Sequence, residues 1–349
     1  KVNAEMATLD QSQCRMRDVG TANIVDVMDK YDLLPVHNYK FGSHPDAKKI
    51  YCGVFQKKYF TQGMADGCWY GCSMACAKAV DHFVLKTGPY KGDKVCVDGA
   101  EYETVAACAN MGCFDPEFVI EFNFYCDTYG VDTISAGTTI AFVMEAFENG
   151  AITTQHTGGL NLNFGACAEA LELLHQMSRG EGFGVDVGQG IRWLKNKWVK
   201  EYGADEKFLN DIGMEVKGLE YSEYVSKESL AQQGGYALAI KGPQHDEAWL
   251  IFMDMVNNQL PTFEDKAEAL FYFPLWRTWF GLCGLCKLCW NDVVPADNFK
   301  EREAAKIPDH VRNYFRYIEG VTGIEGMDER KMLDQRSEEH TSELQSRQS

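Results

Sequence analysis

Three cysteines at intervals of four residues, Cys68, Cys72 and Cys76, lie in the glycine-flanked stretch Gly67-Cys68-Trp69-Tyr70-Gly71-Cys72-Ser73-Met74-Ala75-Cys76. Soft thiolates that bind a metal ion or an iron–sulfur cluster must converge on one point, and close spacing lets a single turn deliver three of them at low entropic cost. A cluster held this way takes its fourth ligand from far along the chain. The reservoir for it is Cys283-Gly284-Leu285-Cys286-Lys287-Leu288-Cys289. The competing reading is a core helix, with buried thiols serving as small hydrophobes along one face. The clustering and the remote second group favour the cluster over the core.

The chain has 349 residues and 13 cysteines, is 45% hydrophobic and carries a formal charge of −17. This is ordinary globular material with mass enough for two domains. No apolar run reaches membrane-span length and no signal peptide opens the chain, so the expectation is a reducing, cytoplasmic setting in which thiolates serve as ligands. Acidity of this size repels the phosphates of nucleic acid. The first residue is Lys1, and Arg336–Ser349 resembles the in-frame translation of a sequencing adapter. The expectation is therefore a fragment open at both ends, with 336–349 foreign and His340 excluded from any site. A genuine polar, disordered tail is the alternative.

Apolar periodicity predicts helices near Ile24–Tyr31, over Ala75–Leu85, twice between Pro116 and Asn149 around Tyr129-Gly130-Val131, and over Ala166–Met177. Further helices are predicted over Gly190–Tyr202, over Glu247–Asn257 and after Pro261. Leu33–Tyr39 is turn-rich, and Gly88–Gly99 reads as loop or hairpin. Few runs alternate with period two, so the chain is expected to be mainly α, with a domain boundary near Gly203–Gly213.

Three segments carry chemistry. Asp127, between Cys126 and the junction glycine Gly130, can accept hydrogen bonds from a ligand, while Gly130 permits close backbone approach. A helix cap plus a turn is the plainer reading of the same residues. Glu101, in Glu101-Tyr102-Glu103-Thr104, can be a buried proton carrier, although glutamates at such places are mostly solvated. His245, in Lys241-Gly242-Pro243-Gln244-His245-Asp246-Glu247, sits where a helix is expected to start, as a proton donor or a cap.

Taken together and in this order, these segments resemble the tungsten-containing aldehyde:ferredoxin oxidoreductase family: a cysteine triplet, Glu-Tyr-Glu-Thr, an Asp-x-x-Gly-x-Asp-Thr-Ile-Ser segment at Asp127–Ser135, His245, and Gly284-Leu285-Cys286. The resemblance spans all but the tail. It implies the family's two helical C-terminal domains, expected at 1–205 and 206–330, without the N-terminal domain. It further implies a tungsten (or molybdenum) bis-pyranopterin and a [4Fe-4S] cluster on Cys68, Cys72, Cys76 and Cys286. Asp127, with Gly130 and Asp132, maps to the pterin-binding segment; Glu101 and His245 map to the carboxylate and histidine near the metal.

The chain departs from the family in two places. Its triplet is spaced three-and-three where two-and-three is usual, and the second pterin motif has lost its aspartate, with Gly281 or Thr278 in its place. The stretches Lys241–Trp249 and Trp276–Phe280 look more like the branch that holds the tungsten subunits of ATP-independent benzoyl-CoA reductases. That branch implies an extra thiolate ligand to tungsten, for which Cys126 is the candidate. The resemblance thus implies reduction of an aromatic acyl-CoA to a cyclic dienoyl-CoA, with iron–sulfur or flavin electron-transfer subunits as partners. Oxidation of aldehydes to carboxylic acids with ferredoxin is the alternative. A non-catalytic cluster-bearing electron-transfer subunit, and plain zinc binding, are readings from other classes. The chain alone is not expected to retain the bispterin.

Overall fold

The computed structural model describes residues 11–61, 67, 68, 72, 74–282, 284, 286–288, 308–328 and 331; Cys283, Cys289 and the tail lie outside them. The chain forms two compact units, one made of residues 14–226 with 240–243 and the other of the remainder.

The larger unit takes α1 (Gln11–Val19) from Cys14 onward, then α2 (Asn23–Lys30), a 3-10 turn (Pro45–Ile50), α3 (Cys52–Lys58), β1 (Ala79–Val84), β2 (Lys94–Asp98), α4 (Tyr102–Asn110), α5 (Pro116–Tyr129) and α6 (Thr133–Glu148). It continues with α7 (Cys167–Arg179), α8 (Gly184–Val187), α9 (Ile191–Lys197) passing into a π-turn (Trp198–Tyr202), α10 (Glu206–Ile212), β3 (Glu215–Val216) and β4 (Leu219–Glu220). The chain is mainly helical, as its periodicities predict. Strands β1 and β2 form one antiparallel ribbon, β3 and β4 another.

Its core is α4 and α6. Nearly every residue of α4 is buried, and α6 is buried from Ala136 to Met144. Small side chains explain the close approach. A Cβ at Gly137 would stand 2.3 Å from the Ala107 Cβ, so α6 presents bare backbone where α4 presents alanine. The α5–α6 junction is built by local chemistry. Asp115 caps α5 ahead of Pro116, and α5 closes on Gly130 at φ +68°, where the Val131 N–H reaches the Cys126 carbonyl at 2.8 Å and the Gly130 N–H reaches Asp127 O at 3.2 Å. This is a Schellman stop. Asp132 then caps α6, its carboxylate accepting from the Ser135 N–H at 2.8 Å.

Two predicted helices are replaced. Within Ala75–Leu85 the chain forms strand β1, paired with β2 through Val80↔Val97 and Phe83↔Val95 around a bulge at His82 (φ +63°). Ala79–Val84 is rich in β-branched and aromatic residues, and its apolar spacing suits either period over so short a run. Residues 88–92 supply the turn, with Gly88 and Gly92 both at positive φ.

In the smaller unit, α11 (Leu230–Leu238) and α12 (Phe263–Leu282) flank a stretch that the periodicity assigns to a helix over Glu247–Asn257, yet only a π-turn at Phe252–Val256 forms. The fully buried Gln232 takes the main-chain partners of the missing turn. Its Oε1 accepts from the N–H groups of Leu250 and Ile251, both at 2.9 Å, and its Nε2 donates to the Ala248 carbonyl at 2.7 Å. The buried backbone is satisfied by a side chain in place of a helix. Helix α13 (Pro308–Thr322) also belongs to this unit. Among the described residues no helix is long and apolar enough to cross a membrane.

Candidate functional site

Of the cysteine triplet, Cys68 is exposed and Cys72 and Cys76 are half-buried. A Cβ at Gly67 would stand 2.9 Å from the Cys72 Cβ. Lys78 follows two residues after the last thiol and is 5% exposed, its ammonium donating to the carbonyls of Ala75 at 2.9 Å and Ala77 at 3.0 Å. Burial lowers its pKa against the attraction of Cys76 and Glu101. Two glycines make room for this lysine. A Cβ at Gly20 would lie 2.9 Å from the Cys76 carbonyl oxygen, and one at Gly99 would lie 2.6 Å from the Lys78 Cβ. The main chain closes the arrangement, with the Gly99 N–H donating to the Lys78 carbonyl.

Gly99 leads directly to Glu101, the residue before α4. The residue as a whole is half-buried, while its carboxyl lies deep among neighbouring atoms. Desolvation raises its pKa to about 7, helped by Glu103 and Asp98 and opposed by the hydrogen bond from the Thr21 hydroxyl to Oε2. Thr21 in turn accepts from the Tyr102 N–H at 2.9 Å. The thiol stretch and Glu101 thus share one buried cation, Lys78, which the sequence does not single out from other lysines.

Asp127 lies in the last turn of α5, exposed by area, with Oδ2 accepting from Asn123 Nδ2 at 3.1 Å. Neighbouring atoms and then Asp98 raise its pKa. Its neighbours in the motif are occupied locally: Gly130 makes the left-handed stop with open space at its Cβ position, and Asp132 caps α6. The left-handed backbone, rather than close approach, is what requires glycine at 130. Cys126 is fully buried within α5, and desolvation, with Asp127 and Asp132, raises its pKa far above the usual thiol range.

A second carboxyl, absent from the sequence reading, is Glu223. It is 0% exposed, sits at φ +60°, and accepts from the Thr138 hydroxyl at 2.7 Å through Oε1, while Oε2 has no hydrogen-bond partner among the described residues. Burial raises its pKa well above the carboxylate range. Tyr39 reaches the same place: its hydroxyl donates to the Tyr221 carbonyl at 2.8 Å and accepts from the Glu223 N–H at 3.2 Å. Neither the isolated glutamate nor the distant tyrosine carries a motif by which the sequence could have announced them.

In the smaller unit, His245 lies in a turn, not at the start of a helix. Arg277, 3% exposed on α12, ties that turn to the segment of Cys286: its Nε donates to the Asp246 carbonyl at 2.6 Å and its Nη1 to the Lys287 carbonyl at 3.2 Å. Lys287 adds an ion pair to the Asp246 carboxylate at 3.1 Å. Cys286 itself is half-buried. His245 and Cys286 are therefore brought to one clasp inside this unit. Among the described residues no group of three or more His, Cys, Asp or Glu side chains is gathered as a metal site.

The family model described as aldehyde ferredoxin oxidoreductase, domains 2 and 3, matches residues 1–336. The chain belongs to the aldehyde ferredoxin oxidoreductase family. It is 28% identical over 289 residues to the tungsten-containing aldehyde ferredoxin oxidoreductase of Pyrococcus furiosus, covering 81% of this chain and 44% of that protein. It is 30% identical over 237 residues to the enzyme of the same name from Pyrococcus horikoshii, covering 66% of this chain and 35% of that protein. A relative described as the WOR-like subunit of an aliphatic sulfonate oxidoreductase from Pyrococcus furiosus is 26% identical over 214 residues, covering 60% of this chain and 32% of that protein. The chain thus spans less than half the length of the curated relatives it matches. A solved active-site complex of benzoyl coenzyme A reductase with 1,5-dienoyl-CoA shares the fold, with a TM-score of 0.58 and 16% identity over 93% of this chain and 51% of that one.

Proposed function

We propose that this chain is the helical cofactor-holding part of a low-potential oxidoreductase with a tungsten or molybdenum bis-pyranopterin and a [4Fe-4S] cluster. The donor set fits both groups. The exposed or half-buried thiols of Cys68, Cys72 and Cys76 are soft ligands for iron, with Cys286 as the fourth, and Asp127 offers an exposed carboxylate to pterin N–H groups. When bound, the bispterin metal supplies two-electron redox chemistry; the protein's part is to bind, orient and move protons.

The observation that carries the reading is Glu101. A desolvated carboxyl titrating near neutrality, in the segment that packs on the thiol stretch through Lys78, is the proton carrier that such a redox site needs. Burial destabilises the anion and Thr21 steadies it, so both protonation states are accessible at working pH. His245 is the second proton carrier, held in place by the Arg277 clasp.

The substrate class is an aromatic acyl-CoA reduced to a cyclic dienoyl-CoA. The motif resemblance supports it, together with the fold shared with the dienoyl-CoA complex. Such a reduction consumes protons as well as electrons, and it calls for an electron-transfer partner subunit with iron–sulfur or flavin centres. Aldehyde oxidation with ferredoxin is the second reading, favoured by the names of the curated relatives. The test is elemental analysis of the intact protein purified without oxygen, followed by assay with benzoyl-CoA and simple aldehydes. About one tungsten or molybdenum and about four iron per chain, with benzoyl-CoA turnover, is expected. Turnover of aldehydes alone would transfer the assignment to the second reading. Iron without tungsten or molybdenum would leave a cluster scaffold, and zinc alone would remove both centres.

A further inference from the structure

An open cleft of about 440 Å³ lies on the larger unit, lined by Lys49, Val54, Lys58, Phe114, Asp115 and Pro116. Its volume falls within the range of small-molecule sites, roughly 300–1,000 Å³. The aromatic wall is the last rung of a ladder of rings. Phe164 stacks on His37 with centroids 4.5 Å apart, His37 meets His44 at 5.9 Å, and His44 stacks on Phe114 at 4.4 Å and 9°. His44 is itself fixed, its Nδ1 accepting from the Asp46 N–H at 3.1 Å. One face of Phe114 is thereby taken and the rest of the ring lines the cleft, where a flat ring would add the next rung. Charge enters from two elements. The 3-10 turn ends in Lys48-Lys49 and α3 in Lys57-Lys58, and one lysine of each pair lines the cleft. Lys58 is exposed, and no carboxylate among the described residues pairs with it. Lys49 meets Asp46 at 2.9 Å, but only in an exposed pair of the weak i,i+3 kind. The other acids nearby are occupied: the Asp115 carboxylate accepts from the Glu117 N–H at 3.0 Å, and Glu117 pairs with Lys86. On a chain of formal charge −17 this rim is a positive island.

We propose that this cleft binds a nucleoside phosphate, its base stacked on Phe114 with Val54 and Pro116 as apolar sides and its phosphates held by Lys49 and Lys58. Lysine ammonium groups bind phosphate as point charges, and an aromatic ring accepts any base on its π-face. An inorganic anion would use the lysines and leave the rings idle; an apolar ring would use Phe114 and leave the lysines idle. A nucleoside phosphate uses both. Two sources supply this chemistry: a free nucleotide, or the phosphorylated adenosine end of an acyl-CoA. The second rests on the substrate class proposed above.

The test titrates the whole chain with ADP, coenzyme A, adenosine and inorganic phosphate, read by calorimetry. ADP, coenzyme A or both are expected to bind at least about tenfold tighter than adenosine or phosphate. Lys58→Glu, at an exposed position, is expected to weaken that binding at least about tenfold, and Phe114→Ala at least about threefold. Lys207→Glu makes the same charge reversal on α10, where Lys207 pairs with Asp211, and is expected to leave binding unchanged. Circular dichroism confirms that each variant folds, and Lys58→Glu keeps the test decisive if Phe114→Ala does not. Coenzyme A binding tighter than ADP would assign the cleft to the substrate's adenosine end; equal or weaker binding would assign it to a free nucleotide. Failure of both to bind better than phosphate would overturn the proposal. So would binding undiminished in Lys58→Glu, or weakened equally by Lys207→Glu. The titration needs no metal, cluster or turnover, so its failure is distinct from failure of the oxidoreductase reading.

Discussion

At Glu101 the environment sets a measurable penalty. The folded carboxyl keeps its proton up to about 7, whereas the unfolded one releases it near 4.5. Between those values the folded state binds more protons, so stability falls as the pH rises, and the loss is complete above about 7. Glu101→Gln removes the ionisable group. The variant is expected to match the parent chain at pH 4 and to exceed it at pH 8 by at most about 3 kcal/mol, read from urea unfolding at both pH values. Equal curves at pH 8 would mean that Glu101 ionises normally. Lys78→Met tests the neighbouring cation. It leaves the Ala75 and Ala77 carbonyls without their donor and is expected to cost about 1–3 kcal/mol in the same measurement.

Among elements, α6 and the α5–α6 junction separate two uses of glycine. Gly130 has a left-handed backbone and open space around its Cβ position, so Gly130→Ala is expected to cost only the conformational term, about 1–2 kcal/mol. Gly137 has ordinary helical backbone, and alanine there would gain about 1 kcal/mol of helix propensity. Its Cβ would nevertheless meet Ala107 at 2.3 Å, so α4 and α6 must move apart. Gly137→Ala is expected to be destabilising on balance, by about 1–3 kcal/mol, and thermal unfolding of the two variants ranks them. The turn His37-Asn38-Tyr39 is a third case: three consecutive non-glycine residues are left-handed, at φ +51°, +55° and +62°. Asn38 holds it by donating to Glu145 at 2.7 Å and to the Ile212 carbonyl at 2.8 Å, and the result is the Tyr39 hydroxyl delivered to Glu223. Asn38→Ala removes both bonds from a strained turn and is expected to cost about 2–4 kcal/mol, read from urea unfolding.

At the scale of the whole molecule, the formal charge of −17 makes the compact state repel itself. Added salt screens exposed charges beyond about 10 Å at 0.1 M. The melting temperature at pH 8 is expected to rise between low salt and 0.3 M sodium chloride, and a flat response would show that the acidic groups are already neutralised in local pairs. Such pairs exist within the larger unit, as where Glu215 binds Arg192 and Lys195, both at 3.0 Å.

The sequence by itself determined the helical class, the bounds of α5, α6 and α7, and the thiol stretch, because caps, glycine stops and cysteine spacing act over a few residues. Asp115-Pro116, Asn149-Gly150 and Arg179-Gly180 are legible for that reason. Period alone did not decide Ala79–Val84, a run too short to tell strand from helix, nor 248–251, where the side chain of Gln232 replaces a helical turn. Only the tertiary structure gathered Glu101 and Cys76 about Lys78 and placed Tyr39 beside Glu223. Each of those contacts joins segments apart in the chain, and its consequence, a desolvated acid or a buried cation, depends on burial that no local pattern encodes.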